Sequence, residues 1–171
     1  MSRLGSLSPA AIAAMLSPDA GEDLIALLTI TGAGIVTPIR IANAGPVRLS
    51  DTADEVFYGV VSRSNNFAFV PFRISLPDEQ VASAPRATIA IDDVTQTLMP
   101  TIRSITTAPS VLIELVLSST PNTLEVSFPG FLMGSISYSA TQVTAELTVK
   151  SLASEPFPAH NFTPSYFPGL F

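Results

Sequence analysis

The 171-residue chain has no cysteine, no tryptophan and a single histidine, and only 13% of its residues are charged. Without cysteine there is no disulfide framework, no thiolate-held iron–sulfur cluster, no thiolate nucleophile and no Cys-containing zinc site. One histidine cannot build a multi-His metal site, and it leaves His160 as the sole candidate for His-dependent acid–base chemistry. The composition therefore leans away from an enzyme and implies no cofactor and no metal. The length suits one domain with arms, large enough to bury a core without staples.

Positive charge is also scarce. Eight basic residues stand against 14 acidic ones, for a net charge of −6, and the bases are scattered, so the basic footprint of a nucleic-acid binder is missing. A soluble monomer usually displays more charge than this, which suggests that copies or partners cover much of the outer face. Long apolar runs are missing too. The charge-free stretches Leu24 to Ile39 and Val126 to Ala145 are interrupted by Gly32, Gly34 and Pro38 and by Pro129, Gly130 and Gly134, so neither reads as a membrane-spanning helix of about 20 apolar residues. The N-terminal patch Ala10 to Leu16 is short for a signal peptide and follows a proline, which fits a helix start better. The expectation is a product of the cytosol.

What is present is mostly a period of two. Before it, Ser8-Pro9 reads as a helix cap and first turn, with Ile12, Met15 and Leu16 on one face of a two-turn helix too short to stand undocked. From residue 22, Leu24 to Ile30 is apolar on both faces, like a strand buried on each side, and a Gly-rich turn leads to Ile35–Ala42 as a hairpin. That turn lacks the signatures of a phosphate loop or a dinucleotide fingerprint. Strands are expected at Val56–Arg63, Phe67–Leu76 and Arg86–Ile91. Pro71 marks a change of inward parity between Phe69 and Phe72, hence a bulge or an edge. Asp92 and Asp93 are expected to cap a helix over about Thr95 to Ser104. Strands follow at Val111–Leu117, interrupted by Glu114, and at Leu124–Phe128. A last hairpin joins Ile136–Ala140 to Val143–Val149. The sum is a mainly β domain, an antiparallel sandwich or small barrel over residues 22–150 with one flanking helix, preceded by an N-terminal helical arm over 1–21.

Residues 151–171 form a third part, and EPFPAHNFTPSYFPGLF from 155 onward holds 4 of the 15 prolines and five of the aromatics. So many prolines forbid a helix or a ladder-forming strand, and such aromatic density is the opposite of a disordered composition. Phe157, Phe162, Tyr166, Phe167 and Phe171 represent about 750–1,250 Å² of potential contact. That exceeds what a monomer leaves in water, so the segment is expected to lie in a groove of its own domain or of a neighbour. These five, with Ile12, Met15 and Leu16, are the candidate interface residues.

The succession LIALLTI, TPIRIANA, VPFRISLP, PRATIAIDDV, PSVLIELVL and the terminal FTPSYFPGLF resembles a family of small proteins of tailed bacteriophages and prophages, long known only as a domain of unknown function. The likeness spans Glu22 to Phe171. It implies a minor or distal tail protein of the virion, assembled in the host cytoplasm. The implied fold is that of the tail tube, two packed sheets with a flanking helix and arms that join six copies into a ring. The ring's partners would be the tail tube above and the tail-tip hub proteins below, with DNA only passing through. No active-site residue comes with the resemblance. The competing class is a β-sandwich binding module, an adhesin or carbohydrate-recognition domain, which would show aromatic platforms or cation-binding acid clusters. A serine hydrolase using His160 lacks any nucleophile-elbow motif.

Overall fold

The computed structural model describes residues 7–16, 22–51, 56–75, 86–92, 105, 107–139, 141–149 and 169. In chain order these hold α1 (Pro9–Leu16), β1 (Leu24–Thr31), β2 (Ile39–Ala42), β3 (Val47–Asp51), β4 (Val56–Ser62), β5 (Asn65–Phe69), β6 (Phe72–Ser75), β7 (Arg86–Asp92), β8 (Ser110–Leu117), β9 (Val126–Tyr138) and β10 (Gln142–Val149). The fold is mainly β, as expected. All ten strands join one open sheet in the order β3-β4-β5-β2-β1-β8-β9-β10-β7-β6. Its pairings are antiparallel except that of β2 with β5.

The centre of the sheet follows from the least polar strands. β1 pairs along its whole length with β8, from Leu24 opposite Leu117 to Thr31 opposite Ser110. Both strands are buried on each face, which explains why LIALLTI shows no alternation. One face contributes Leu28, Ile30, Val111 and Ile113 to the larger core, together with residues of β6, β7, β9 and β10. The opposite face contributes Ile25, Leu27 and Val116 to a smaller core closed by Val60 and Phe67 of β4 and β5. Each fully buried Leu or Ile adds about 1.5–3 kcal/mol, so the strands shared by two cores carry the most stabilisation per residue.

The sheet must roll, because β5 and β6 are third and tenth in spatial order but only Val70 and Pro71 separate them in sequence. At this link the chain passes from one ladder to another: Val70 donates to the Ala42 carbonyl and Asp92 to that of Pro71. Proline has no N–H to offer a ladder, and it sits where none is needed. The expected single strand Phe67–Leu76 is thus two strands, the second of them an edge.

Curvature also comes from β9. Phe128 pairs with Ile113 and Phe131 with Val111, and Gly134 pairs with Glu146 and Ser137 with Thr144, so each interval holds one extra β9 residue. Left-handed backbone falls inside both intervals, at Gly130 (φ 82°) and Ser135 (φ 42°). Such bulges bend a strand and increase its twist. The sequence expectation of two strands, broken between Phe128 and Ile136, corrects to one long strand bent twice.

Helix α1 begins as read. The Ser8 Oγ accepts from the Ala11 N–H at 3.1 Å, and the Ser8 carbonyl accepts from Ile12 at 3.0 Å. It seats on its own domain: the Ser8 N–H and Oγ–H donate to the two carboxylate oxygens of Glu125, each at 2.9 Å, and Ala11 is fully buried. Ser8→Ala removes the cap and one donor to a buried carboxylate, an expected loss of about 1–2 kcal/mol, read as a lower urea midpoint with an unchanged slope.

The central helix expected over Thr95–Ser104 lies outside the described residues, as does Asp93. Asp92 ends β7, and its carboxylate accepts from Gln142 Nε2 at 2.9 Å, tying β7 to β10. β9 and β10 pair as the expected last hairpin, with the Ser139 Oγ accepting from the Gln142 N–H.

Candidate interaction surfaces

Among the described residues no group of three His, Asp or Glu side chains could hold a metal, and no helix is long and apolar enough to cross a membrane. An interior void of about 10 Å³ between Ile30, Ile89, Ile91 and Met133 holds one water at most.

Among the described residues, the greatest number of exposed large apolar side chains falls on a wing formed by β3, β4 and β5 at one end of the sheet. Gly59 pairs with Val47 on one side and Ala68 on the other, and residues directly opposite share a face. By strand alternation Phe57 and Val61 join them, so Val47, Phe57 and Val61 point away from the smaller core. They are 46%, 46% and 40% exposed. On the other parity, Val60 and Phe67 close that core, whereas Tyr58 and Phe69 at the wing's end stay about half exposed. The wing is tight at Gly59, where a Cβ would collide with the Phe67 carbonyl oxygen and come within 2.6 Å of Leu49 Cδ1. Gly59→Ala should cost about 1–3 kcal/mol through that overpacking, measurable as a drop in melting temperature.

An ion pair locks the wing to the sheet centre. The β4–β5 turn places Arg63 and Ser64 at φ 48° and 62°, the two left-handed positions of a type I′ hairpin. This geometry usually calls for Asn or Gly, and without them it costs about 1–2 kcal/mol per residue. In return it aims the guanidinium at Glu114 of β8, with Nη1 and Nη2 donating to the two carboxylate oxygens at 2.8 and 2.7 Å. The Glu114 side chain is 7% exposed and that of Arg63 38%. The same turn docks on residues 120–123: the Ser62 hydroxyl donates to the Pro121 carbonyl at 2.6 Å, and the Arg63 N–H to Asn122 Oδ1 at 2.7 Å.

The Arg63 guanidinium is held above its ordinary pKa, chiefly by the hydrogen bonds to Glu114; burial opposes this and the carboxylate charge adds to it. A base raised on folding stabilises the fold below its unfolded pKa and stops doing so only as pH rises through the raised value. The Arg63 contribution is therefore constant across the neutral range.

Of the eight interface residues expected from sequence, Ile12, Met15 and Leu16 belong to α1 and are 38%, 56% and 79% exposed, while Ala11 is the residue that faces the domain. The apolar stripe read as the docking face thus points largely outward. Phe157, Phe162, Tyr166, Phe167 and Phe171 lie outside the described residues. The wing was missed as a surface. Its signal was Phe57-Tyr58 beside Val61, too many large apolar residues for a strand with one covered face.

No family model matches the chain, and no curated protein matches it.

Proposed function

We propose that this protein is a structural component of a bacteriophage tail tip, a distal or minor tail protein. Its rolled sheet is the tail-tube type of β-sandwich, and its copies assemble side by side into a ring of six between the tail tube and the tip proteins. The observation that carries this reading is the concentration of exposed large apolar side chains on the wing and on the outward face of α1, two surfaces that a solitary chain in water would not keep apolar. The sequence resemblance supplies the ring. It localises the protein to the virion tail after assembly in the host cytoplasm, and it leaves no role for catalysis, cofactor, membrane or sequence-specific nucleic acid. Each copy brings a charge of −6, so six carry about −36, and an acidic lumen repels passing DNA rather than binding it.

Light scattering together with electron microscopy of the purified chain tests this. Six-membered rings support it, and a dispersed monomer at tens of micromolar, or a ring with a positively charged channel, overturns it. A carbohydrate-binding module is the second reading, favoured by the half-exposed Tyr58 and Phe69, which share one face of the wing, since sugar rings stack on aromatic faces. In that case the chain is monomeric and a glycan array shows saturable binding lost on Tyr58→Ala.

A further inference from the structure

We infer that an aromatic side chain from residues 155–171 seats, in the same copy, in a groove between β6 and the central strands. The groove has a volume of about 190 Å³ and is lined by Ala26, Asn43, Phe72, Ile74, Leu115 and Phe128 among others. A cavity of about 150 Å³ walled by aliphatic and aromatic side chains accepts a benzene ring, so one phenyl or phenol group is the right size. The described lining carries no charge. Its one amide, Asn43, accepts the Ala26 N–H on its Oδ1 at 2.8 Å, which fixes the side chain in the groove wall.

The path of the chain argues for this occupant. β10 ends at Val149 opposite Phe131 of β9. Because the two strands are antiparallel, β10 ends pointing toward the start of β9, and in that direction Phe128 stands two ladder positions beyond Phe131, about 7 Å away, since a bulge separates them. There β8 presents Ile113 opposite Phe128 and Leu115 opposite Val126. Phe157 follows Val149 by eight residues, a reach of up to about 26–29 Å, more than enough. A tether this short keeps the segment at an effective concentration around millimolar, favouring the home groove over a neighbour's. The mode suits the composition: with four prolines the segment cannot add a strand to the open β6 edge, but extended proline-rich chains readily insert side chains into aromatic-walled grooves. The inference is independent of the ring, since a monomer can seat its own segment.

The chain is free of cysteine, so disulfide trapping starts from a clean background. Ile74→Cys is combined in the full chain with cysteine at Phe157, Phe162, Tyr166, Phe167 or Phe171 in turn, with Val47→Cys replacing Ile74→Cys as the remote control. The expected result is one position that forms an intramolecular bond at least tenfold faster than its control and runs as a compact monomer on a non-reducing gel. Equal rates at all five positions, or bonds only between copies, overturn the inference. Hydroxyl-radical footprinting gives a second reading without cysteines. Oxidation of Phe72 and Phe128 should rise at least threefold when all five aromatics of the segment are replaced by serine, and unchanged labelling overturns the seat.

Discussion

Arg63→Ala should lower the stability of the protein by about 3 kcal/mol, roughly 6–12 °C in melting temperature for a chain of this size. The reason lies in what is left behind. Glu114 sits in the middle of β8, beside Leu27 and Val116 and nearly out of solvent, and its two oxygens are satisfied by the two Nη groups of one guanidinium. Removing the arginine strands a carboxylate among hydrocarbon. The value stands at the lower end of the range for broken buried pairs because Arg63 keeps 38% of its side chain in water, where solvent weakens the attraction. Arg63→Gly should cost about 1 kcal/mol less than Arg63→Ala, since glycine releases the left-handed strain of φ 48°. Adding Glu114→Gln to Arg63→Ala should recover a large part of the loss. A double-mutant cycle in urea checks all three, and near-additive single effects would mean that the pair is not the latch.

If the proposed ring is built through the wing, Phe57→Glu with Val61→Glu should abolish self-assembly and leave the fold in place. Both side chains are already almost half exposed, so the monomer should change by no more than about 0.5–1 kcal/mol. Between copies the same carboxylates would be dehydrated against apolar surface, a penalty of about 3 kcal/mol or more and over a hundredfold in Kd. Light scattering should then report the monomer mass with an unaltered far-UV circular dichroism spectrum. The control is Val36→Glu, on a loop residue that is fully exposed, which should assemble like the parent. An assembled mass unaffected by the pair of glutamates would remove the wing from the interface.

Some of this architecture can be read directly from residue order. Ser8-Pro9 announces the start of α1, LIALLTI announces a strand covered on both faces, and Pro71 announces a bulge or an edge, because each depends on chemistry within a few neighbours; that the chain changes ladder at Pro71 is visible only in the fold. β3 could not be read. Val47–Asp51 is exposed at four of its five positions, carries an Arg48–Asp51 ion pair, and is a strand only because β4 offers it a partner. β9 misled for the opposite reason. Pro129, Gly130 and Gly134 are breakers in isolation, yet one extra residue at each bulge lets the ladder continue past them. Glu114 stood out as a charge in an apolar strand, but its partner lies 51 positions away in a turn, a distance at which local pattern carries no information. The exposed stripe on α1 shows the limit of periodicity: it marks which residues share a face, and the Ser8–Glu125 contact decides which face turns inward.

The pairing of β1 with β8 has a consequence for how the protein is made. β1 is the least polar strand, and its partner begins at Ser110, roughly 80 residues later, beyond most of the sheet. At a synthesis rate of about 5–20 residues per second, LIALLTI waits for roughly 4–16 s before β8 leaves the ribosome. The hairpin with β2 covers only one edge of it in that time. The strand that ends at the centre of two cores therefore begins as an apolar stretch without its main partner, exposed to aggregation throughout that interval.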